Sequence, residues 1–162
     1  MPRTIEGNSN AAGLRVGIIA ARFHDEFVDR LVAGAIECLA RHGAADELIS
    51  VYRVPGSFEI PVAARKLART AQFDVLVALG VLIRGDTLHF ELIASQVTND
   101  LSRVALEELI PIGLGVITCN DEAQARARSG PKSGNKGWEA ALAAIEMGTL
   151  FRAISGDNQD RT

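Results

Sequence analysis

His89 sits just after Gly85, Asp86 and Thr87, where a helical pattern begins. An unperturbed imidazole, with a pKa of about 6.5, suits proton transfer at neutral pH. Gly85 frees the backbone, and the unpaired amides of a helix start, with the helix dipole, favour a phosphate or carboxylate. Asp86 is itself an anion, so a phosphate there would use backbone donors. Capping by Asp86 or Thr87 would explain the same residues without a ligand. Phe23 directly follows an apolar run, as either a core aromatic or a stacking surface for a heterocycle. Glu59 lies between Phe58 and Ile60-Pro61, and a carboxylate in an apolar setting needs a partner. A polyhydroxy chain or a helix end would serve. Arg128 could neutralise a helix C-terminus or grip a phosphate as a fork. Lys132 and Lys136 flank a Gly-rich turn, where solvated loop charge is the plain alternative. Arg84-Gly85-Asp86 spells a cell-adhesion tripeptide, which the lack of a secretion signal argues against.

The elements that must hold these groups alternate along the chain. Residues 15–20 (RVGIIA) are short, apolar and β-branched, as a buried strand should be. From Asp25 the period becomes helical and ends at Gly43. Residues 47–54 read as a second strand, 62–70 as a short helix opened by Pro61, and 75–79 as a third strand. Residues 88–108 form the longest helical pattern, 112–118 a fourth strand, 122–128 a helix capped by Asp121, and 137–154 the last helix. Such alternation predicts an α/β fold with a four-stranded parallel sheet and helices on both faces. Ligands of such sheets sit beyond the carboxyl ends of the strands. Those ends are followed by the segments at Phe23, Ser57–Glu59, Gly80–His89 and Cys119, so a site is expected there. The last helix carries two apolar stripes. Trp138, Leu142 and Ile145 form one; Ala143, Met147, Leu150 and Ile154 form the other. A helix apolar on two sides is buried on two sides, within the chain or between copies.

A chain of 162 residues is one domain's worth. Residues 14–155 are expected to form that domain, with 1–13 a mobile arm and 156–162 a polar tail. With 48% hydrophobic and 23% charged residues the chain is globular rather than disordered. A net charge of −3 supplies no basic field for nucleic acid or anionic membrane. Cys38 and Cys119 offer no CxxC or Cys/His ligand spacing, so no metal site is expected. No apolar run approaches the ~18 residues needed to span a bilayer. A cytoplasmic protein is expected.

Four segments together carry a family resemblance: Ala21-Arg22-Phe23, PGSFEIP (55–61), GVLIRGDTLHFE (80–91) and RSGPKSGNKG (128–137). Over residues 14–152 the chain resembles the lumazine synthases of riboflavin biosynthesis. The resemblance implies a flavodoxin-like three-layer domain that forms homopentamers, in some members twelve pentamers in an icosahedral shell. It implies condensation of 5-amino-6-(D-ribitylamino)uracil with (3S)-3,4-dihydroxy-2-butanone 4-phosphate. The products are 6,7-dimethyl-8-ribityllumazine, phosphate and water, by imine formation, loss of phosphate and ring closure. No metal or organic cofactor is implied.

By the same resemblance, Phe23 would stack on the pyrimidinedione. Ser57, Phe58 and Glu59 would hold the pyrimidine substrate, with Glu59 taking ribityl hydroxyls. Val81, Leu82 and Ile83 would line the ring pocket. Gly85, Asp86 and Thr87 would present donors to the phosphate, which Arg128 would pair with from the neighbouring side of a subunit interface. His89 would shuttle protons, Lys136 would lie near the ribityl chain, and Leu114 would reach the ring from the adjacent subunit.

Three positions depart from the family pattern: Leu114 where Phe is common, His24 where Asn is frequent, and Pro131 where Thr is often found. The loop before the last helix has no insertion of the kind that accompanies free pentamers, which leaves a 60-subunit shell open, with riboflavin synthase as its conceivable contents. The rival readings are a non-catalytic flavin- or lumazine-binding module on the same scaffold, a structural cage, and a response-regulator-like domain. The last would want paired acidic residues after the first strand, where Arg22-Phe23-His24 stands instead.

Overall fold

The apolar run after Gly13 forms β1 (Val16–Ala21), buried at every residue. The computed structural model describes residues 1–131 and 134–159, the side chains of 157–159 excepted. Lys132, and with it part of the loop expected between the last two helices, lies outside the described residues. β1 pairs in parallel with β2 (Ile49–Val54) on one side and β3 (Val75–Ile83) on the other, and β3 pairs with β4 (Ile112–Cys119). The order β2-β1-β3-β4 puts the two most continuously apolar strands at the centre.

The edge strands behave differently. β4 alternates, with Leu114 half exposed, and Val51 and Tyr52 of β2 face outward. Near-continuous burial is therefore a property of β1 and β3 alone among the four strands. Two boundaries also move. β2 begins only at Ile49, because Asp46–Leu48 forms a short 3₁₀ turn. β3 continues past Gly80 to Ile83, since β4 pairs with it through Ile83 and Cys119. Val81–Ile83, expected in a loop, are strand residues.

Successive side chains of a strand point to opposite faces. Ile18 accordingly joins one core with α1 (Asp25–Arg41), α4 (Glu122–Arg128) and α5 (Lys136–Gln159). Ile19 joins the other with α2 (Ile60–Ala68) and α3 (His89–Glu108). On α5 the stripe of Trp138, Leu142 and Ile145 packs inward, joined by Ala140, Ala141 and Ala144. The second stripe stays open, with Met147 41% and Ile154 47% exposed. Close approach at the start of α5 depends on Gly137, where an added Cβ would lie 2.0 Å from the Leu31 carbonyl oxygen.

Residues 8–13 lie along α5. Asn8 N donates to Thr149 Oγ1 at 2.8 Å, Ala11 is fully buried, and Arg152 donates to the Ala12 and Gly13 carbonyls. Beside them Arg15 pairs with Asp74 at 3.0 Å, and Arg152 approaches the same carboxylate at 3.4 Å.

Candidate active site

At the carboxyl ends of β1 and β3 lies a cavity of about 580 Å³. Phe23 and His24 border it after β1, and Ser57, Phe58 and Glu59 before α2. Val81, Leu82 and Ile83 line it from β3, and Gly85, Thr87 and His89 from the start of α3. Its size suits a small organic ligand, and its lining is largely apolar with a few polar groups.

Each side has a local cause. Phe23 and Phe58 are 71% and 61% exposed, so neither serves this chain's core and both offer free ring faces. His24 holds a left-handed backbone, φ 58°, and its carbonyl accepts from the Phe27 and Val28 amides as α1 begins. That conformation is one that Asn, Asp and His adopt more readily than most side chains. Ser57 is buried beneath this rim because Gly80 leaves it room; an added Cβ at Gly80 would sit 2.5 Å from Ser57 Oγ.

The Glu59 carboxylate finds its partner in a helix start. Its Oε2 accepts from the Gly56 amide at 3.0 Å, while the Glu59 amide donates to the Gly56 carbonyl at 3.2 Å. This reciprocal bond fixes the carboxylate at the cavity wall. Across the cavity, α3 opens at His89 after Leu88, whose own side chain makes no capping bond. Thr87 Oγ1 accepts from the His89 amide at 3.3 Å. Asp86, which could have capped the helix, is not on the cavity wall. The first turn of α3 therefore directs amide donors and its dipole toward the His89 side.

The two thiols are both free and buried. Burial pushes Cys38 up to about 11. It also raises Cys119 above its ordinary range, against the pull of Arg128. Both stay protonated at neutral pH, which removes them as nucleophiles. Among the described residues no three His, Cys, Asp or Glu side chains gather as a metal site would need. No described helix is long and apolar enough to cross a membrane.

The family model of 6,7-dimethyl-8-ribityllumazine synthase matches residues 13–152. The chain belongs to this family. The synthase of Aquifex aeolicus is 56% identical over 149 residues, 92% of this chain and 97% of the relative. That of Pyrococcus furiosus is 48% identical over 159 residues, 98% of both. That of Chlorobium chlorochromatii is 45% identical over 150 residues, 93% of this chain and 97% of the relative.

Besides Asp86, three of the residues that the lumazine synthase resemblance singles out stand apart from the cavity. Leu114 is on the outer strand β4, 51% exposed. Arg128 ends α4, where its Nη1 lies 3.4 Å from the Gln124 carbonyl oxygen. Lys136 opens α5 and pairs with Glu139 at 2.8 Å. All three belong to β4 or to elements after it. Phe90 and Ile93 line the cavity although the sequence did not single them out. For Ile93 the signal was helical spacing: one turn after His89, it must share its face.

Proposed function

We propose that this chain condenses 5-amino-6-(D-ribitylamino)uracil with (3S)-3,4-dihydroxy-2-butanone 4-phosphate to give 6,7-dimethyl-8-ribityllumazine, phosphate and water, the penultimate step of riboflavin biosynthesis. The observation that carries the reading is the convergence on one cavity of exposed Phe23, the anchored Glu59 carboxylate and His89 at the start of α3. Phe23 stacks on the pyrimidinedione. Ser57, Phe58 and Glu59 hold that substrate, with Glu59 directed at the ribityl hydroxyls, and Val81, Leu82 and Ile83 wall the ring. Gly85, Asp86 and Thr87 offer backbone donors to the phosphate, and His89 moves protons between the nitrogen and carbon centres. Much of the acceleration comes from holding the two substrates together, since orienting two reactants supplies ~7–11 kcal/mol.

Leu114, Arg128 and Lys136 complete the site of a neighbouring copy, with Arg128 on the phosphate and Lys136 near the ribityl chain. Their separation from this chain's own cavity supports that reading, as do the open apolar positions Leu92 and Leu106 on α3. The assembly is a homopentamer, and a 60-subunit shell in the cytoplasm, able to enclose riboflavin synthase, is its larger form.

The test is direct. Purified protein is mixed with both substrates, and the fluorescent lumazine is followed above the uncatalysed background. Saturable formation supports the synthase. In Arg128→Ala the KM for the butanone phosphate should rise most; a rise confined to the pyrimidine's KM would overturn the phosphate assignment. Ligand binding without acceleration would leave only a binding module.

A further inference from the structure

We propose that Arg84 is a positioning residue that sets the geometry of the α3 start, and so of the phosphate donors and His89. This rests on the site reading above. Arg84 is not on the cavity wall. Its amide continues the sheet, donating to the Cys119 carbonyl at 2.8 Å. Its guanidinium then meets three groups from two other segments. Nη1 contacts the Glu91 carboxylate in the first turn of α3. Nε donates to Asn120 Oδ1 at 3.1 Å, just after β4, and the Asn120 amide is itself held by Gln124 Oε1 at 2.8 Å. The guanidinium carbon lies 4.8 Å from the centroid of the Phe90 ring.

A planar, forked cation can satisfy a carboxylate, an amide oxygen and a ring face together; an ammonium cannot. The loop it bounds has little else to fix it. An added Cβ at Gly85 would meet nothing within 4 Å, and the side-chain bond described within the loop is that of Thr87 to the His89 amide. The position of residues 85–88 is therefore set at its ends, and Arg84 joins both ends. Phe90, the ring it covers, lines the cavity beside His89. The Arg-Gly-Asp tripeptide thus has its arginine engaged within the molecule.

Arg84 and Glu91 are both about half exposed, 49% and 44%, so their ion pair adds little to stability. Misplacing a binding group by about 1 Å can still cost roughly 100-fold in rate. Arg84→Met, Arg84→Lys, Glu91→Ala and Asn120→Ala would be assayed with both substrates, after light scattering confirms native assembly. The expected result for Arg84→Met is a butanone phosphate KM raised roughly tenfold or more and a lower kcat, with the pyrimidine KM and thermal midpoint little changed. Arg84→Lys should restore only part. Glu91→Ala and Asn120→Ala should each reproduce part of the loss, and neither should add fully to Arg84→Met. A wild-type Arg84→Met would overturn the proposal, as would a lowered midpoint with both KM values changed alike. An Arg84→Met loss that Glu91→Ala and Asn120→Ala do not share would mean that Arg84 binds substrate itself. Arg128→Ala is the control. If it too leaves the phosphate KM unchanged, the site reading falls and this proposal with it; if it behaves as expected, a failure belongs to Arg84 alone.

Discussion

His89 and His24 stand on the same cavity with different duties. A positioned acid–base group typically adds about 10²–10⁴-fold, less than the joining of two substrates supplies. His89→Ala should therefore lower kcat by at most roughly that factor and leave turnover above background. Complete loss with assembly and substrate binding intact would contradict this. At His24 the left-handed backbone is the cost, about 1–2 kcal/mol for an ordinary side chain. His24→Asn should ease it and raise the thermal midpoint by a few degrees. A lower midpoint in calorimetry would mean that the imidazole makes a compensating contact. Most of the cavity wall was readable at this scale, because Phe23, Glu59 and His89 are unusual residues at strand ends. Phe90 was not, since an aromatic inside an amphipathic helix looks like core until its neighbours are known.

Among the elements, the central strands and the order of helices follow from apolar runs and period alone. The start of β2 and the end of β3 did not, because pairing across the sheet decides them: Gly80 looked like a strand end, yet β4 carries the ladder on to Ile83. α5 was half legible. Its bulky stripe was visible, but its packing also rests on Ala140, Ala141, Ala144 and Gly137, whose small size carries no hydrophobic signal. Gly137→Ala gains about 1 kcal/mol of helix propensity. It then places a methyl against the Leu31 backbone, which cannot rotate away. We expect a net loss of roughly 2 kcal/mol and a thermal midpoint lower by about 4–8 °C. An unchanged midpoint would show that α5 can slide. Where β1 and β3 begin, burial pushes the Asp74 carboxyl up, but the hydrogen bonds and charge of Arg15, with Arg152, more than offset it and hold it low. Its folded value lies below its ordinary 3.8, so its stabilisation is present above that pH and fades as pH falls through the folded value. Asp74→Asn should be less stable than wild type at pH 6, with the gap closing below about pH 4. A gap that persists in acid unfolding would assign the effect to hydrogen bonding.

For the whole molecule, the open apolar surface is the informative feature. Leu92 and Leu106 stand about four turns apart on α3, 67% and 73% exposed, and Leu114 lies open on the same side of the sheet. In an isolated chain, Leu106→Glu would be nearly neutral. In the proposed pentamer it should reduce the native mass measured by light scattering while far-ultraviolet circular dichroism is retained. An unchanged mass would exclude this face from the contact. The sequence signalled assembly only through the second stripe of α5 and the family resemblance, since exposure depends on what the rest of the fold leaves uncovered.

The strap of residues 8–13 along α5 has a practical consequence. It holds residues 8–13 against residues 149–152, near the edge of the sheet where strands begin, and the cavity lies where they finish. A six-residue strand at about 3.3 Å per residue puts roughly 20 Å between the two. A peptide fused before residue 8, or one fused after residue 152, would leave from the same patch, clear of the substrate entrance. Foreign sequence joined at that patch should therefore leave access to the cavity open.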